Sequence, residues 1–365
     1  MFTEYKIAKE VLKLARIVLW LILVIGSILI LKFFGNLLKP LVIAIIFWYI
    51  IRVMSNYITK VKIGKLIIPD WLAKFISLIL IIFAIYSFVN IVATNLAQIV
   101  TQVDSYNTRQ DNLLNQAAKF LGFKNFENDI KDLPGSTELR PYLTKIANGL
   151  TQGVGYTFII FIYLIFILIE EFIFKKKIHY IYQDAKNFEE MKNVMDQMNN
   201  SIKRYLTVKT FASFLTALLA YLALMIIGVK YPLLWAFIIF TFNFIPYVGS
   251  FAATLLPSIF AALQFNSLSY FLWTFLLVQL AQTIVANFIE PRIVGKSLNL
   301  SPLVVFVTLT VWGTIWGVLG MIIAVPVTSI LVIVMAQFPN TRYVAILLSE
   351  SGDISKMIVP VNRIK

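Results

Sequence analysis

The stretch from Leu303 to Phe338 carries no charged side chain, and neither does the stretch from Leu233 to Leu263. Apolar runs of roughly 18 residues already mark membrane-spanning helices, and these two are too long for one ordinary span. At ~1.5 Å per residue, a helix of the second stretch would reach ~46 Å. Both contain helix breakers: Pro246, Gly249 and Pro257 in the earlier one, and Gly313, Gly317, Gly320 and Pro326 in the later one. Hydrocarbon leaves backbone polar groups no partner but one another, so a chain built from such runs folds as an all-α polytopic membrane protein.

Composition agrees. The chain is 59% hydrophobic and only 14% charged, against about 25% charged for an average soluble domain. It has no cysteine and one histidine, His179. That excludes thiol catalysis, disulfides, cysteine-based metal sites and His-rich clusters. No catalytic residue, metal or cofactor is expected, and no Walker A motif for ATP appears. His179 reads as a solvated or interfacial side chain.

The remaining spans follow from shorter apolar runs: Ile17–Leu31, Leu41–Ile51, Phe75–Ala93, Gly153–Phe174, Tyr205–Ile227 and Leu268–Phe288. Ile17–Leu31 reads as a retained helix, and Lys39-Pro40 suits the first turn of the second span. The chain divides into helices 1–3 over residues 1–93 and an extracytoplasmic polar region over 94–152. A fourth helix with a connector over 153–204 follows, then a transport core over 205–338 and a cytoplasmic tail over 339–365.

The net charge of +14 has its own explanation. With the N-terminus inside, 23 of the 32 basic residues fall in inner segments and 9 in outer ones. That is the positive-inside distribution of a membrane protein. No basic face with a recognition fold accompanies it, so nucleic acid is not an expected partner. Lys60 to Lys65 and Lys175 to Lys177 read as inner-face anchors. The lysine run one turn on neutralises Glu170 and Glu171.

This orientation fixes the ends of the over-long stretches. Tyr205–Ile227 runs outward and Leu268–Phe288 inward, so both ends of 233–263 lie outside and both ends of 303–338 inside. The core then reads as span plus broken, re-entrant hairpin, twice, with the hairpins entering from opposite faces. That is the pattern of an inverted repeat, which secondary transporters use with binding sites at broken helices near the midplane. Two tilted, kinked helices are the plainer alternative.

Four constellations are candidates for function. In Asn243-Phe244-Ile245-Pro246-Tyr247-Val248-Gly249 the proline removes a donor and the glycine permits a sharp turn. Freed carbonyls beside Asn243 would suit a polar solute or a cation, or Asn243 simply bonds a neighbouring helix. Gln279, Gln282, Thr283, Asn287 and Glu290 share one helix face at spacings of three and four. Such a stripe faces protein or a wet cavity rather than lipid, and serves a pathway or interhelical bonding. Glu290 is the only acidic residue between Tyr205 and Phe338. It is either a coupling carboxylate or the partner of Arg292 or Lys296 at a helix end. Trp312-Gly313-Thr314-Ile315-Trp316-Gly317-Val318-Leu319-Gly320 reads as a hairpin tip with aromatic gates, or as packing glycines.

NFIPYVG at 243–249, EPRIVGKSLNLSPLVVF at 290–306 and WGVLGMIIAVPVTSI at 316–330 together resemble the autoinducer-2 exporter family of permeases. The resemblance extends over nearly the whole chain. It implies a bacterial inner-membrane, multi-pass transporter of about eight transmembrane segments with both termini cytoplasmic. By position it carries Asn243, Pro246, Tyr247, Gly249, Pro257, Glu290, Pro291, Gly295, Lys296, Pro302, Gly317, Gly320 and Pro326. Ser250 departs from the proline expected there and puts the rigidity of that tip in question.

The leading expectation is a secondary transporter exporting a small polar solute of the autoinducer-2 kind. A sodium/proton antiporter using Glu290, with Na+ or H+ as the ion, is the runner-up. A channel or a structural membrane scaffold is the alternative from another class. Residues 1–174 lack a polar stripe like that of the later half and are expected to support a homo-oligomer.

Overall fold

The computed structural model of the chain describes residues 2–60, 68–101, 109, 112–113, 116, 156–171, 173, 177, 188–294, 299–355 and 358. Among them every regular element is a helix. The order begins α1 (Phe2–Phe33), α2 (Gly35–Ile58) and α3 (Asp70–Thr101). A helix over 156–171, α4, follows. Then come α5 (Phe188–Ile227), α6 (Pro232–Phe242), α7 (Val248–Phe265), α8 (Leu268–Ile284), α9 (Glu290–Val294), α10 (Pro302–Trp316), α11 (Val318–Gln337) and α12 (Arg342–Leu348). Gly295, Lys296, His179, Lys175, Lys176 and most of 94–152 lie outside the described residues.

Six of these helices are long and apolar enough to cross a membrane: α2, α3, α5, α7, α8 running on into α9, and α11. Large apolar side chains such as Phe33, Phe83 and Ile226 stand on the outer surface. In water that surface would aggregate; in a bilayer it is the side that meets lipid. Two details differ from the sequence reading. α5 begins at Phe188, well before Tyr205, so the part of the polar connector from Phe188 on and the fifth span are one continuous helix. Pro40 lies inside α2 rather than opening it.

Helix α5 is the hub, packing on α6, α8, α9 and α11. α2, α3 and α4 form a separate cluster around Ala44, Ile51, Ile81 and Leu164. The two groups touch where Phe88 of α3 meets Phe237 of α6, ring centroids 5.4 Å apart. α1 is tied to α10 where Trp316 Nε1 donates to the Leu31 carbonyl at 2.9 Å. Trp316, read from sequence as a gate, is buried and ties the second helix break to α1.

Charge in the first group is arranged differently from expectation. Glu170 does pair with Lys177. Glu171, however, turns inward and is held by side chains of α2 and α3. Trp48 Nε1 donates to it at 3.1 Å, Lys74 Nζ at 3.3 Å, and Arg52 Nε lies at 3.7 Å. Lys175 and Lys176, the rest of the lysine run, lie outside the described residues.

Each over-long apolar stretch is two helices joined by a tight turn. Between α6 and α7 the Pro246 carbonyl accepts from Val248 N at 2.7 Å across Tyr247, whose φ is 59° and ψ −66°. This three-residue γ-turn is rare and strained for a side-chain-bearing residue. A Cβ on Gly249 would overlap the Phe242 carbonyl oxygen, so only glycine lets the two arms approach this closely. Between α10 and α11 the turn is Gly317, with φ 69° and ψ −141°. There Gly320 faces the Trp312 carbonyl with the same lack of room. The first break packs on the arms of the second, where Ile245 meets Leu309 of α10 and Ala324 of α11.

Candidate solute site at the helix breaks

Four helices contribute buried polar side chains beside the first break. Thr216 comes from α5, Asn243 from the end of α6, Ser250 and Thr254 from the start of α7, and Gln279 and Gln282 from α8. Asn243 Nδ2 donates to Thr216 Oγ1 at 3.5 Å, and Ser250 Oγ to Asn243 Oδ1 at 3.5 Å, both at the long limit of a hydrogen bond. Gln282 Nε2 donates to the Ser250 carbonyl and to Thr254 Oγ1, each at 2.9 Å. Thr254 Oγ1 lies 3.4 Å from Gln279 Oε1 and 3.1 Å from the Ser250 carbonyl. Asn243, Thr216, Thr254 and Gln282 are all buried.

The local sequence explains the convergence. Asn243 ends α6 because Pro246 disfavours helix at the residue before it. Gly249 brings α7 back against α6, and this sets Ser250 seven residues from Asn243 and within reach of it. Ser250 stands where a proline was expected, and its hydroxyl bonds across the break. Gln279 and Gln282 lie one turn apart on α8 and face α7.

Every titratable side chain is missing from this network, so it offers neutral donors and acceptors only. Charge lies at the far end of α8. Lys209 Nζ of α5 sits 3.3 Å from Glu290 Oε1 and 3.4 Å from Oε2. Glu290 is thus bound to α5, not to Arg292, which is exposed. The Tyr205 hydroxyl, one turn from Lys209, is buried, feels the charge of Glu290 and has no hydrogen-bond partner.

The sequence-predicted residues are divided accordingly. Asn243, Gln279 and Gln282 come together. Thr283 is half-buried outside the network, and Asn287 is exposed. For Asn287 the cause is a π-turn at Val285–Ile289: the extra residue in the turn shifts the phase of the stripe beyond Ile284. Pro246 and Tyr247 form the turn itself, with Tyr247 exposed. Pro257 and Pro326 lie inside α7 and α11, and Gly313 faces the Met321 side chain. Pro291 lies in α9, and Pro302 occupies the first turn of α10.

Sequence reasoning missed Lys209, Thr216 and Thr254. Their signals were present. Lys209 is the one charged residue within Tyr205–Ile227, and Ser250, Thr254 and Ser258 recur every four residues along α7.

Broken apolar helices, one of them broken beside buried neutral polar groups, define the class: a multi-span membrane transport protein. The chain matches the AI-2E family transporter model over residues 17–340, and it belongs to that family. It is 26% identical over 320 residues to a protein of Borreliella burgdorferi, covering 87% of this chain and 86% of the relative. It is 26% identical over 321 residues to the AI-2 transport protein TqsA of Escherichia coli, with 87% and 91% covered. YhhT of the same species is 25% identical over 338 residues, with 92% and 90% covered.

Proposed function

We propose that the chain carries a small, uncharged, hydroxyl-rich solute of the AI-2 kind out across the bacterial inner membrane. Asn243, Ser250, Thr254, Gln279 and Gln282 would bind it. The observation that carries this reading is the buried neutral network at the break between α6 and α7. Hydrogen bonds between side chains in a membrane core are worth only ~0.6 kcal/mol each, so a solute with its own donors and acceptors competes with them on even terms. The name of TqsA and the family membership support the solute class.

In this reading α6 and α10 are the short arms of hairpins that enter from opposite faces, and both termini are cytoplasmic. α6 is 11 residues long and reaches ~16 Å, about half of the ~30 Å hydrocarbon core. The bias of basic residues supports the orientation. The test is solute flux in proteoliposomes for the wild type against Asn243→Leu and Gln282→Leu. Flux lost in properly folded variants supports the site; unchanged flux refutes it.

A second reading, sodium or proton antiport at Glu290, is favoured by one observation. The only carboxylate of residues 205–338 faces one ammonium among the described residues, Lys209 on the hub helix. One carboxylate matches one monovalent cation that takes the place of the lysine.

A further inference from the structure

Hydroxyl groups in the membrane helices of this chain have a default partner, a carbonyl one turn back on the same helix. Thr216 bonds the Ala212 carbonyl at 2.9 Å, Ser258 the Thr254 carbonyl at 2.8 Å, and Ser77 the Ala73 carbonyl at 2.8 Å. Ser213 does not. Its hydroxyl is buried and has no hydrogen-bond partner, although the same kind of carbonyl stands behind it. Tyr205 on the same helix is bare in the same way, and so are Thr274 on α8 and Thr328 and Ser329 on α11. Both of those helices pack on α5.

The position of Ser213 gives this meaning. Tyr205, Lys209, Ser213 and Thr216 follow one another at spacings of four, four and three, and so form one face of α5. At one end of that face Lys209 holds Glu290. At the other, Thr216 receives Asn243 of the neutral network. A buried hydroxyl without a protein partner is a place where water is retained, and two of the four residues on this face have one.

We propose that the face of α5 from Tyr205 to Thr216 lines a seam that takes up water when the helices around it part, and that joins the Lys209–Glu290 pair to the Asn243–Gln282 network. Small hydrophilic species reach the network along it from the Glu290 side. The inference rests on the transport reading only for its purpose; the hydration of the seam is a property of α5 itself. Glu290 then stands at the mouth of the solute path rather than at a lipid-facing helix end, and Ser213 lines that path.

The chain has no native cysteine, so single cysteines report water access without background. The thiolate attacks the sulfenyl sulfur of a methanethiosulfonate reagent and displaces methanesulfinate, and that thiolate forms only where water reaches the sulfur. Ser213→Cys, Ser250→Cys and Ser77→Cys would be treated in proteoliposomes with the hydrophilic ethyltrimethylammonium reagent. Ser77 serves as the dry control, being buried and bonded to its own helix. The seam predicts that Ser213→Cys reacts about tenfold faster than Ser77→Cys or more, with Ser250→Cys also reactive. Ser329→Cys takes its place should Ser213→Cys fail to fold. Reaction at Ser250→Cys with Ser213→Cys and Ser329→Cys as slow as the control overturns the seam and leaves the solute site standing. Silence at all of them overturns the seam and the solute site together.

Discussion

Gln282 clasps α8 to the first turn of α7, its Nε2 donating to the Ser250 carbonyl and to Thr254 Oγ1 at 2.9 Å each. Both acceptors lie just past the strained Tyr247 turn, so a side chain of one helix holds the broken end of another. A solute that bonds Gln282 therefore also bears on the conformation of the break.

Replacing Gln282 with Leu tests the clasp. The substitution keeps volume and removes both donors. The loss in stability is expected to be only about 1 kcal/mol, because such bonds are weak in membrane interiors. Solute flux is expected to fall about tenfold or more, since the bound solute would lose a hydrogen-bond partner in a buried site. Thermal unfolding in detergent and flux in proteoliposomes separate the two effects. A large drop in melting temperature with flux per folded protein unchanged would make Gln282 a structural strut.

The glycines at the breaks make a sharper stability prediction. Gly249→Ala and Gly320→Ala each drive a methyl group into a backbone carbonyl, that of Phe242 and that of Trp312. Neither carbonyl can rotate away, so each variant is expected to lose about 1–3 kcal/mol. Gly26 in α1 has nothing within 4 Å of its would-be Cβ. Gly26→Ala is expected to be neutral or to stabilise by up to ~1 kcal/mol, the helix-propensity difference. Equal melting temperatures for the three would contradict the close approach of the arms.

What the sequence made legible here, and what it hid, has a physical pattern. Pro246, Gly249, Gly317 and Gly320 announced the breaks because each carries a backbone constraint that nothing else in an apolar run would require. Gln279 and Gln282 stood out because amides are costly at membrane depth. Thr216 and Thr254 did not, since hydroxyls that bond their own helix are ordinary there. Lys209 was hidden by its neighbours: it closes a basic connector and reads as one more anchor. Asn287 was misplaced because a helical stripe assumes a constant rotation per residue, and a π-turn shows no clear mark in sequence. The pairing of Glu171 was illegible because Arg52 and Lys74 lie on other helices, far along the chain.

That pairing yields the third prediction. The Glu171 side chain is 9% exposed, while Arg52 and Lys74 are 34% and 28% exposed. Glu171→Ala takes the carboxylate from between Arg52 and Lys74, of which only Lys74 keeps a second acidic partner among the described residues, Asp70 at 3.2 Å, and frees the Trp48 N–H. The cost is expected to be about 1–3 kcal/mol, below that of a fully buried pair because solvent screens the two cations. Glu170→Ala, which removes only the exposed pair with Lys177, is expected to change stability by less than ~0.5 kcal/mol. Detergent melting curves of the two variants decide it, and equal curves would show that Glu171 is no hub.

The last prediction concerns Lys209 and Glu290. Removing one member strands the other: Glu290→Gln leaves an ammonium 12% exposed, and Lys209→Met leaves a carboxylate 26% exposed. Each single variant is expected to melt lower than the wild type. The double variant should recover much of that loss, with a coupling of about 1–3 kcal/mol in the cycle. Additive losses would mean the contact carries little energy. Function is read separately. Residues 205–338 contain no second acidic side chain, so no neighbour in that stretch can replace Glu290 as a cation acceptor. If the pair couples transport to an ion, solute flux in both single variants and in the double variant becomes insensitive to an imposed pH or sodium gradient. The double variant matters most, because it restores stability without restoring charge. Gradient-driven flux that survives in it would leave the pair as a tie between α5 and α9, and the second reading would fall.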